Sequence, residues 1–262
     1  MGRAFHVRIA SRIVVTCSVF FCVFLVAGCR SSSIRTADFS SFEVQAGQSA
    51  PPGAHASRTD SAGPSTVLIA SFVRANPPPN SGATAPDEFM LQAMGDPDRD
   101  LFDRYLGGSS VVKLIDLSAI EAPGTTFDAK GLLSRARSLG ADWAYVYSAD
   151  ADLEPLSRTI LLSMFSFFVL PYTESAAGTA DAVLINSEDG RVVKRWQRID
   201  TAWQPTHILT NGDTARQVTA RCRGHLIHWL IPRMVVEAAK ADSAICAAAT
   251  RAKIRREGWV SE

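Results

Sequence analysis

The sequence lacks the short motifs that identify the common enzyme classes. It contains no Gly-rich turn leading into Gly-Lys-Ser/Thr, no Gly-x-Ser-x-Gly and no His-Glu-x-x-His. These absences exclude a P-loop, a nucleophile elbow of the usual type and a zinc-protease helix. We therefore predict no catalytic residue, no metal and no other cofactor.

The chain also lacks an excess of basic residues. It has 27 Lys and Arg against 26 Asp and Glu, and removal of residues 1–28 would leave 24 against 26, a net charge of −2. Non-specific nucleic-acid binding requires a positively charged surface. The composition therefore excludes nucleic acid as an expected partner.

Acidic residues are absent from the first 37 positions, where Arg3, Arg8 and Arg12 form a basic start. The apolar run that follows, residues 13–27, is shorter than the roughly 20 residues that a spanning helix needs. A basic start, a short apolar run and small residues at its end are typical of a secretory signal. We predict a signal peptide at residues 1–28.

Residues 25–29 read Leu-Val-Ala-Gly-Cys and resemble the lipobox of bacterial lipoproteins. The resemblance implies cleavage between Gly28 and Cys29, a diacylglyceryl group on the thiol of Cys29 and acylation, for example with palmitate, of the new amino terminus. Two or three acyl chains attach a protein to a membrane far more firmly than one. An ordinary cleaved signal and an uncleaved N-terminal anchor remain the alternatives.

Arg30 follows the predicted lipidated cysteine. In the bacterial lipoprotein family an aspartate at this position favours retention in the inner membrane. Arg30 therefore favours the outer membrane, with the protein facing the periplasm.

Residues 29–66 are rich in Ser, Ala, Gly and Pro. This composition predicts a lipidated, disordered tether with a root-mean-square reach of roughly 35 Å. Phe39, Phe42 and Val44 could form a short strand within it. Residues 67–262 are then a single α/β domain with C-terminal helices.

The pattern of apolar residues predicts strand–helix–strand–helix–strand at the start of this domain, which favours a mixed sheet in two or three layers. Asp189-Gly190 then predicts an antiparallel hairpin, and Pro232 is expected to end or kink a helix. The predicted strands are residues 67–74, 111–120, 142–148, 181–186 and 191–203, and the predicted helices are residues 87–107 with Asp96 or Asp98 as N-cap, 128–140, 214–230 and 233–256.

Residues 160–170 carry no charge. The run is too short to span a bilayer as a helix, and we predict a central strand that is buried on both faces. A patch that contacts a membrane or a partner, and a segment that inserts as part of an oligomeric pore, are the alternatives.

Cys222, His225 and His228 are spaced by three on a predicted helix, so that two of them could bind a metal. The sequence shows no third or fourth metal ligand nearby. We therefore interpret Cys222, His225 and His228 as part of a partly buried helix face. Cys222 and Cys246 are the two cysteines left after the leader and Cys29. They could form a disulfide, or remain two buried thiols.

Acidic residues cluster twice in the chain. Such clusters can perform acid–base chemistry or bind calcium, but helix caps and turns favour acids for electrostatic reasons alone. We therefore interpret both clusters as solvated caps and turns. They consist of Asp96, Asp98 and Asp100, and of Asp150, Asp152 and Glu154.

Three further stretches follow one another in a characteristic order: Leu-Gly-Ala-Asp at residues 139–142, Leu-Pro-Tyr-Thr at 170–173, and Thr-Ala-Asp-Ala-Val-Leu-Ile at 179–185 ahead of Asp189-Gly190. This order resembles uncharacterised bacterial lipoproteins of the rhombotail type, over about residues 110–200. The resemblance implies a fold distantly similar to the curli-secretion lipoprotein and to activator lipoproteins of penicillin-binding proteins. The end of the chain, with Trp259, differs from the apolar sorting tail of the rhombotail group. None of these families supplies catalytic residues.

These features predict a lipid-anchored envelope lipoprotein that acts as a non-enzymatic accessory, binding or assembly factor for another envelope protein. A homo-oligomeric secretion-pore lipoprotein and an envelope hydrolase with an unrecognised site remain the alternatives.

Overall fold

The computed structural model describes residues 37, 39–42, 63–74, 88–107, 109–154, 172–206 and 211–258. Within these ranges the chain forms a seven-stranded mixed sheet with helices on both faces, which confirms the predicted α/β architecture with C-terminal helices. The strands are β1 Ser65–Arg74, β2 Phe89–Gln92, β3 Val112–Asp116, β4 Thr126–Phe127, β5 Trp143–Leu153, β6 Tyr172–Asn186 and β7 Val192–Thr206. The helices are α1 Asp96–Tyr105, α2 Ala129–Ser138, α3 Asn211–Ala241 and α4 Ser243–Gly258.

Strand β1 lies at the centre of the sheet, whose order is β4-β2-β1-β5-β6-β7. One edge of β1 pairs with β5 in parallel, and the other edge is divided between parallel β3 and antiparallel β2. Strands β5, β6 and β7 form an antiparallel meander. Parallel pairing is therefore confined to β1 with β3 and β1 with β5, and the other pairs of described strands, including the predicted β6–β7 hairpin, are antiparallel.

Local capping signals in the sequence are used as expected. The Asp128 side chain accepts a hydrogen bond from Gly131 N at 2.7 Å and caps α2. Gly140, just after α2, has φ of 66°, and Gly190, in the β6–β7 turn, has φ of 75°. Positive φ is cheap only for glycine, so these two residues fix the end of the helix and the position of the hairpin.

Residues 89–92 form strand β2, whereas we predicted a helix that starts at residue 87. The strand alternates, because Phe89 and Leu91 are buried while Gln92 is exposed. Helix α1 begins only after Gly95, which is its N-cap in place of the predicted Asp96 or Asp98. The five apolar residues before the Gly-Asp-Pro break are too few to distinguish the two-residue period of a strand from the 3.6-residue period of a helix.

Pro232 does not end a helix, because α3 continues through it to Ala241. A proline inside a helix costs about 3 kcal/mol. Leu230, Ile231 and Met234 on either side of it are fully buried in one core, and each such side chain contributes about 1.5–3 kcal/mol. Packing therefore outweighs the lost hydrogen bond, and the chain breaks at Asp242 instead.

The apolar run at residues 160–170, predicted as a central strand, lies outside the described residues. Strands β5 and β6, which precede and follow it, pair directly from Trp143↔Asn186 to Leu153↔Ala176. Glu154 N donates to Ser175 O at 2.9 Å beyond that last pair. In the part of the chain that the structure describes, no helix is long and apolar enough to cross a membrane.

Candidate functional site at the docked N-terminal segment

Ala37 and residues 39–42 pack against the sheet, on the face that also carries α2. Phe39 and Phe42 are 0% and 1% exposed, and their rings lie 5.1 and 5.5 Å from that of Phe89. Residues 40–42 are helical, unlike the short strand that Phe39, Phe42 and Val44 suggest. This docked segment lies inside the range predicted as tether, and its two aromatic side chains belong to the core of the domain.

Two buried polar side chains hold the backbone of the docked segment. Ala37 N donates to Ser148 Oγ at 3.0 Å, and Phe39 N donates to Asp181 Oδ2 at 3.4 Å. Ser148 lies on β5 and Asp181 faces it on β6. The docked segment is therefore fixed to the sheet by hydrogen bonds as well as by apolar contacts.

Asp181 is buried, and its carboxylate is surrounded by donors from β7. Arg195 Nε donates to Oδ1 at 3.0 Å, Arg195 Nη2 donates to Oδ2, and Gln197 Nε2 donates to Oδ2 at 3.1 Å. A buried carboxylate is stable only when it is paired in this way. Asp181 is not among the residues predicted to be functional, although it is the only charge in the apolar stretch at residues 179–185.

An open groove of about 480 Å³ runs beside this cluster. Its described lining consists of Ala37, Thr179, Ala180, Asp181, Gln197, Arg198 and Ile199. This lining contains no histidine, cysteine or lysine, and its one carboxylate is already bound by Arg195. The described lining combines the apolar side chains of Ala37, Ala180 and Ile199 with the polar side chains of Thr179, Gln197 and Arg198, so it offers both apolar and hydrogen-bonding contacts to a ligand.

Asp98 lies on the opposite face of the sheet, where it is 1% exposed. Its carboxylate accepts two hydrogen bonds from Arg223 of α3, at 3.0 and 2.6 Å, and one from Tyr147 Oη at 2.9 Å. Burial, and then the nearby negative charge of Asp98, raise the pKa of the Tyr147 phenol well above its ordinary value, so it donates as a neutral hydroxyl. Burial lowers the pKa of Arg223, but the hydrogen bond and attraction of Asp98 outweigh it and leave the pKa raised.

The interpretation of the two acidic clusters as solvated groups is correct only in part. Asp96 is exposed and pairs with Arg99 at 3.1 Å, whereas Asp98 is a buried ion-pair partner. Asp150 and Asp152 lie within β5, not in a turn, and each accepts a hydrogen bond from the next backbone N–H, at 2.9 and 2.8 Å. Tertiary packing extended β5 beyond the point where the sequence turns polar.

Cys222, His225 and His228 do not converge. Cys222 is buried against β7, where its thiol donates to Asp200 O at 3.4 Å, while His225 and His228 are exposed. Burial, and then Asp200, raise the pKa of the Cys222 thiol, which opposes the thiolate form that binds metals. Among the residues that the structure describes, no three His, Cys, Asp or Glu side chains are placed to hold a metal ion.

For Cys222 and Cys246 the sequence left a disulfide or two buried thiols open. In the structure Cys222 lies on the buried side of α3, whereas Cys246 is exposed on α4. Both thiols are free. Gly28 and Cys29, the predicted cleavage and lipidation residues, lie outside the described residues.

Replacement of Phe42 by alanine is expected to destabilise the protein by about 3–5 kcal/mol, because the change leaves a cavity beside Phe89. Urea unfolding measures this loss. Phe127 is the matched control, since it is only partly buried and its replacement by alanine should have a smaller effect. Equal stability of Phe42→Ala and wild type would contradict the docking of the segment.

No family model matches the chain, and a search of curated proteins also gives no match. Solved structures with a similar course of the chain include protein XCC0632 from Xanthomonas campestris, at 12% identity over 69% of this chain and 91% of that chain, with a TM-score of 0.31. Lipoprotein GNA1162 from Neisseria meningitidis matches at 11% identity over 60% and 97%, with a TM-score of 0.28. A PelC dodecamer from Paraburkholderia phytofirmans matches at 13% identity over 63% and 85%, with a TM-score of 0.27.

Proposed function

We propose that this chain is an envelope lipoprotein anchored through lipid on Cys29, and that its domain binds another envelope protein as a non-enzymatic accessory or assembly factor. The docked segment carries this proposal. Ala37 is eight positions after Cys29, and an extended chain covers at most about 3.3–3.6 Å per residue. The domain would then lie within about 28 Å of the lipid, which is closer than a free tether of residues 29–66 would hold it.

The roles of the buried carboxylates support a non-enzymatic domain. Among the described residues, the buried acids are Asp98, Asp181 and Asp242. Asp98 and Asp181 are each bound by two nitrogens of one arginine, and Asp242 joins a helix end to two strands. Each of these acids holds structural elements together, which leaves the open groove as a surface for binding.

Replacement of Cys29 by serine is expected to abolish membrane retention, because serine lacks the thiol that carries the diacylglyceryl group. Metabolic labelling with a radioactive fatty acid, followed by fractionation of the envelope, measures the effect. Cys246→Ser is the matched control, since Cys246 is an exposed free thiol that should have no part in lipidation. Equal incorporation of label by Cys29→Ser and wild type would overturn the anchor.

A photo-crosslinking residue at Thr179 tests the binding role separately. Thr179 lines the groove on β6, whereas Lys130 is exposed on α2 and serves as the control position. In whole cells we expect a reproducible adduct with one other envelope protein from position 179 and none from position 130. Only self-adducts, or no adducts at position 179, would contradict an envelope partner at the groove.

A further inference from the structure

Strand β7 is the last strand in the order of the sheet, and within the described ranges it pairs only with β6. It is 15 residues long, which corresponds to an edge of about 50 Å at 3.4 Å per residue. An edge strand presents a row of backbone N–H and C=O groups that can pair with a further strand. The side chains and charges of β7 can therefore indicate which kind of strand would pair with this edge.

The direction of the backbone groups on this edge is fixed by one hydrogen bond. Thr201 N donates to Asp200 Oδ1 at 2.9 Å in an exposed contact. The register with β6 has no shift between Arg195 and Thr206, and alternate residues of a strand direct their backbone groups to the same side. The N–H groups of Gln197, Ile199 and Trp203 therefore point away from β6, together with that of Thr201.

Two large apolar side chains are exposed along the same strand. Ile199 is 77% exposed and Trp203 is 66% exposed. They are four positions apart, so both lie on one face of the sheet. Pairing of the edge with another strand would cover part of both side chains.

The charges of Arg198 and Asp200 on β7 favour a second copy of the same strand as the partner. Within one copy, Arg198 already pairs with Asp200 at 2.9 Å. In an antiparallel pair of two β7 strands centred on Ile199, Arg198 also lies opposite Asp200 of the second copy, so that the four side chains alternate in charge across the two-fold axis. Ile199 then lies opposite Ile199, and Gln197 opposite Thr201. Directly opposed unlike charges stabilise such a pair, whereas like charges destabilise it.

The two neighbouring registers are opposed by the same rule. A pair centred on residue 198 places Arg198 against Arg198, and a pair centred on residue 200 places Asp200 against Asp200. In addition, a two-fold axis through Ile199 joins residues whose N–H groups both point outwards, as a hydrogen-bonded pair requires. Of these three registers, the charges and the backbone direction both favour the one centred on Ile199.

We propose that β7 is a homodimer interface, in which two copies of this chain continue one sheet by antiparallel β7–β7 pairing about Ile199. This isologous arrangement uses the same residues of both copies and closes on itself. It is independent of the anchor at Cys29. Gln197, Arg198 and Ile199 also line the groove, so the dimer and the groove partner would use one continuous surface, and the crosslinked product, a second copy or another protein, distinguishes them.

Cysteine crosslinking in whole cells tests the pairing on the full chain, in a Cys246→Ser background that removes the exposed native thiol. Residues opposite each other in a hydrogen-bonded antiparallel pair have Cα atoms about 5.5 Å apart, within the range of a disulfide. Ile199→Cys is therefore expected to give a covalent dimer on mild oxidation. Thr201→Cys alone should give none, because its two copies are offset by four residues, or about 14 Å along the strand.

Gln197 and Thr201, which lie opposite each other in the proposed register, provide a second crosslinking test. Gln197→Cys and Thr201→Cys, expressed together with different tags, are expected to give a mixed dimer that carries both tags. A self-crosslink at Thr201 without one at Ile199, or no crosslink in either arm, would overturn the proposed register and interface.

Ile199→Lys separates pairing from folding. The side chain is largely in solvent, so the circular dichroism spectrum should not change, while two ammonium groups would meet at the axis. Native mass spectrometry of the purified protein in detergent is expected to show at least a tenfold loss of dimer. An unchanged dimer population would refute the role of β7.

Discussion

Asp98→Ala is expected to destabilise the protein by about 3–5 kcal/mol, because it leaves the guanidinium of Arg223 without its partner in a partly buried position. It also removes the acceptor of the Tyr147 hydroxyl. Helix α1, strand β5 and helix α3 meet at this carboxylate. Urea unfolding followed by far-ultraviolet circular dichroism measures the change in the free energy of unfolding.

Two further variants show whether the loss of stability comes from breaking the Asp98–Arg223 ion pair or from removing any charge. Asp96→Ala removes an exposed carboxylate from the same helix, where a surface ion pair contributes about 0–1 kcal/mol. Asp98→Leu combined with Arg223→Met replaces the pair by apolar groups and should recover most of the lost stability, since such replacements are often neutral. Equal effects of Asp98→Ala and Asp96→Ala would contradict the buried network.

Asp242→Ala is expected to cost about 3–5 kcal/mol, because several buried donors lose one acceptor at once. Its Oδ2 accepts from Ser65 Oγ at 2.7 Å and from Trp143 Nε1 at 2.8 Å. Its Oδ1 caps α4 by accepting from Ala244 N at 2.8 Å, and a lost cap alone is worth about 1 kcal/mol. Thermal and urea unfolding, together with near-ultraviolet circular dichroism of the tryptophans, record the loss.

Asp242→Asn keeps an oxygen for the cap but cannot accept all of these bonds, so its effect should be intermediate. Tyr145→Phe is the matched control in the same region. The Tyr145 hydroxyl is buried and has no hydrogen-bond partner among the described residues, and burial followed by Asp242 raises its pKa. Its removal should be neutral or stabilising, and a loss as large as that of Asp242→Ala would contradict the assigned role of the carboxylate.

Elements with strong local signals were predicted correctly. The Asp128 cap and Gly140 mark both ends of α2, and Asp189-Gly190 marks the β6–β7 hairpin. Each signal acts within a few residues, through a side chain that binds a nearby N–H or a glycine that accepts positive φ. Local sequence is enough to fix such features.

Other features were missed because their cause lies far away in the sequence. Phe39 and Phe42 lie in a Ser-rich segment, and only contact with Phe89 shows that they belong to the core. Pro232 stops a helix in isolation, but the buried residues around it extend α3 to Ala241. Tertiary packing outweighed the local preference in both cases.

The sequence by itself determined helix α2, the β6–β7 hairpin and the C-terminal helices, because periodicity and capping depend on neighbouring residues. Only the tertiary structure decided which acids became structural. Asp98 is separated from Arg223 by 125 positions, Asp181 from Phe39 by 142 and Asp242 from Ser65 by 177. A carboxylate looks the same in sequence whether it is solvated or buried, since the donors that make burial tolerable arrive only when distant elements pack together.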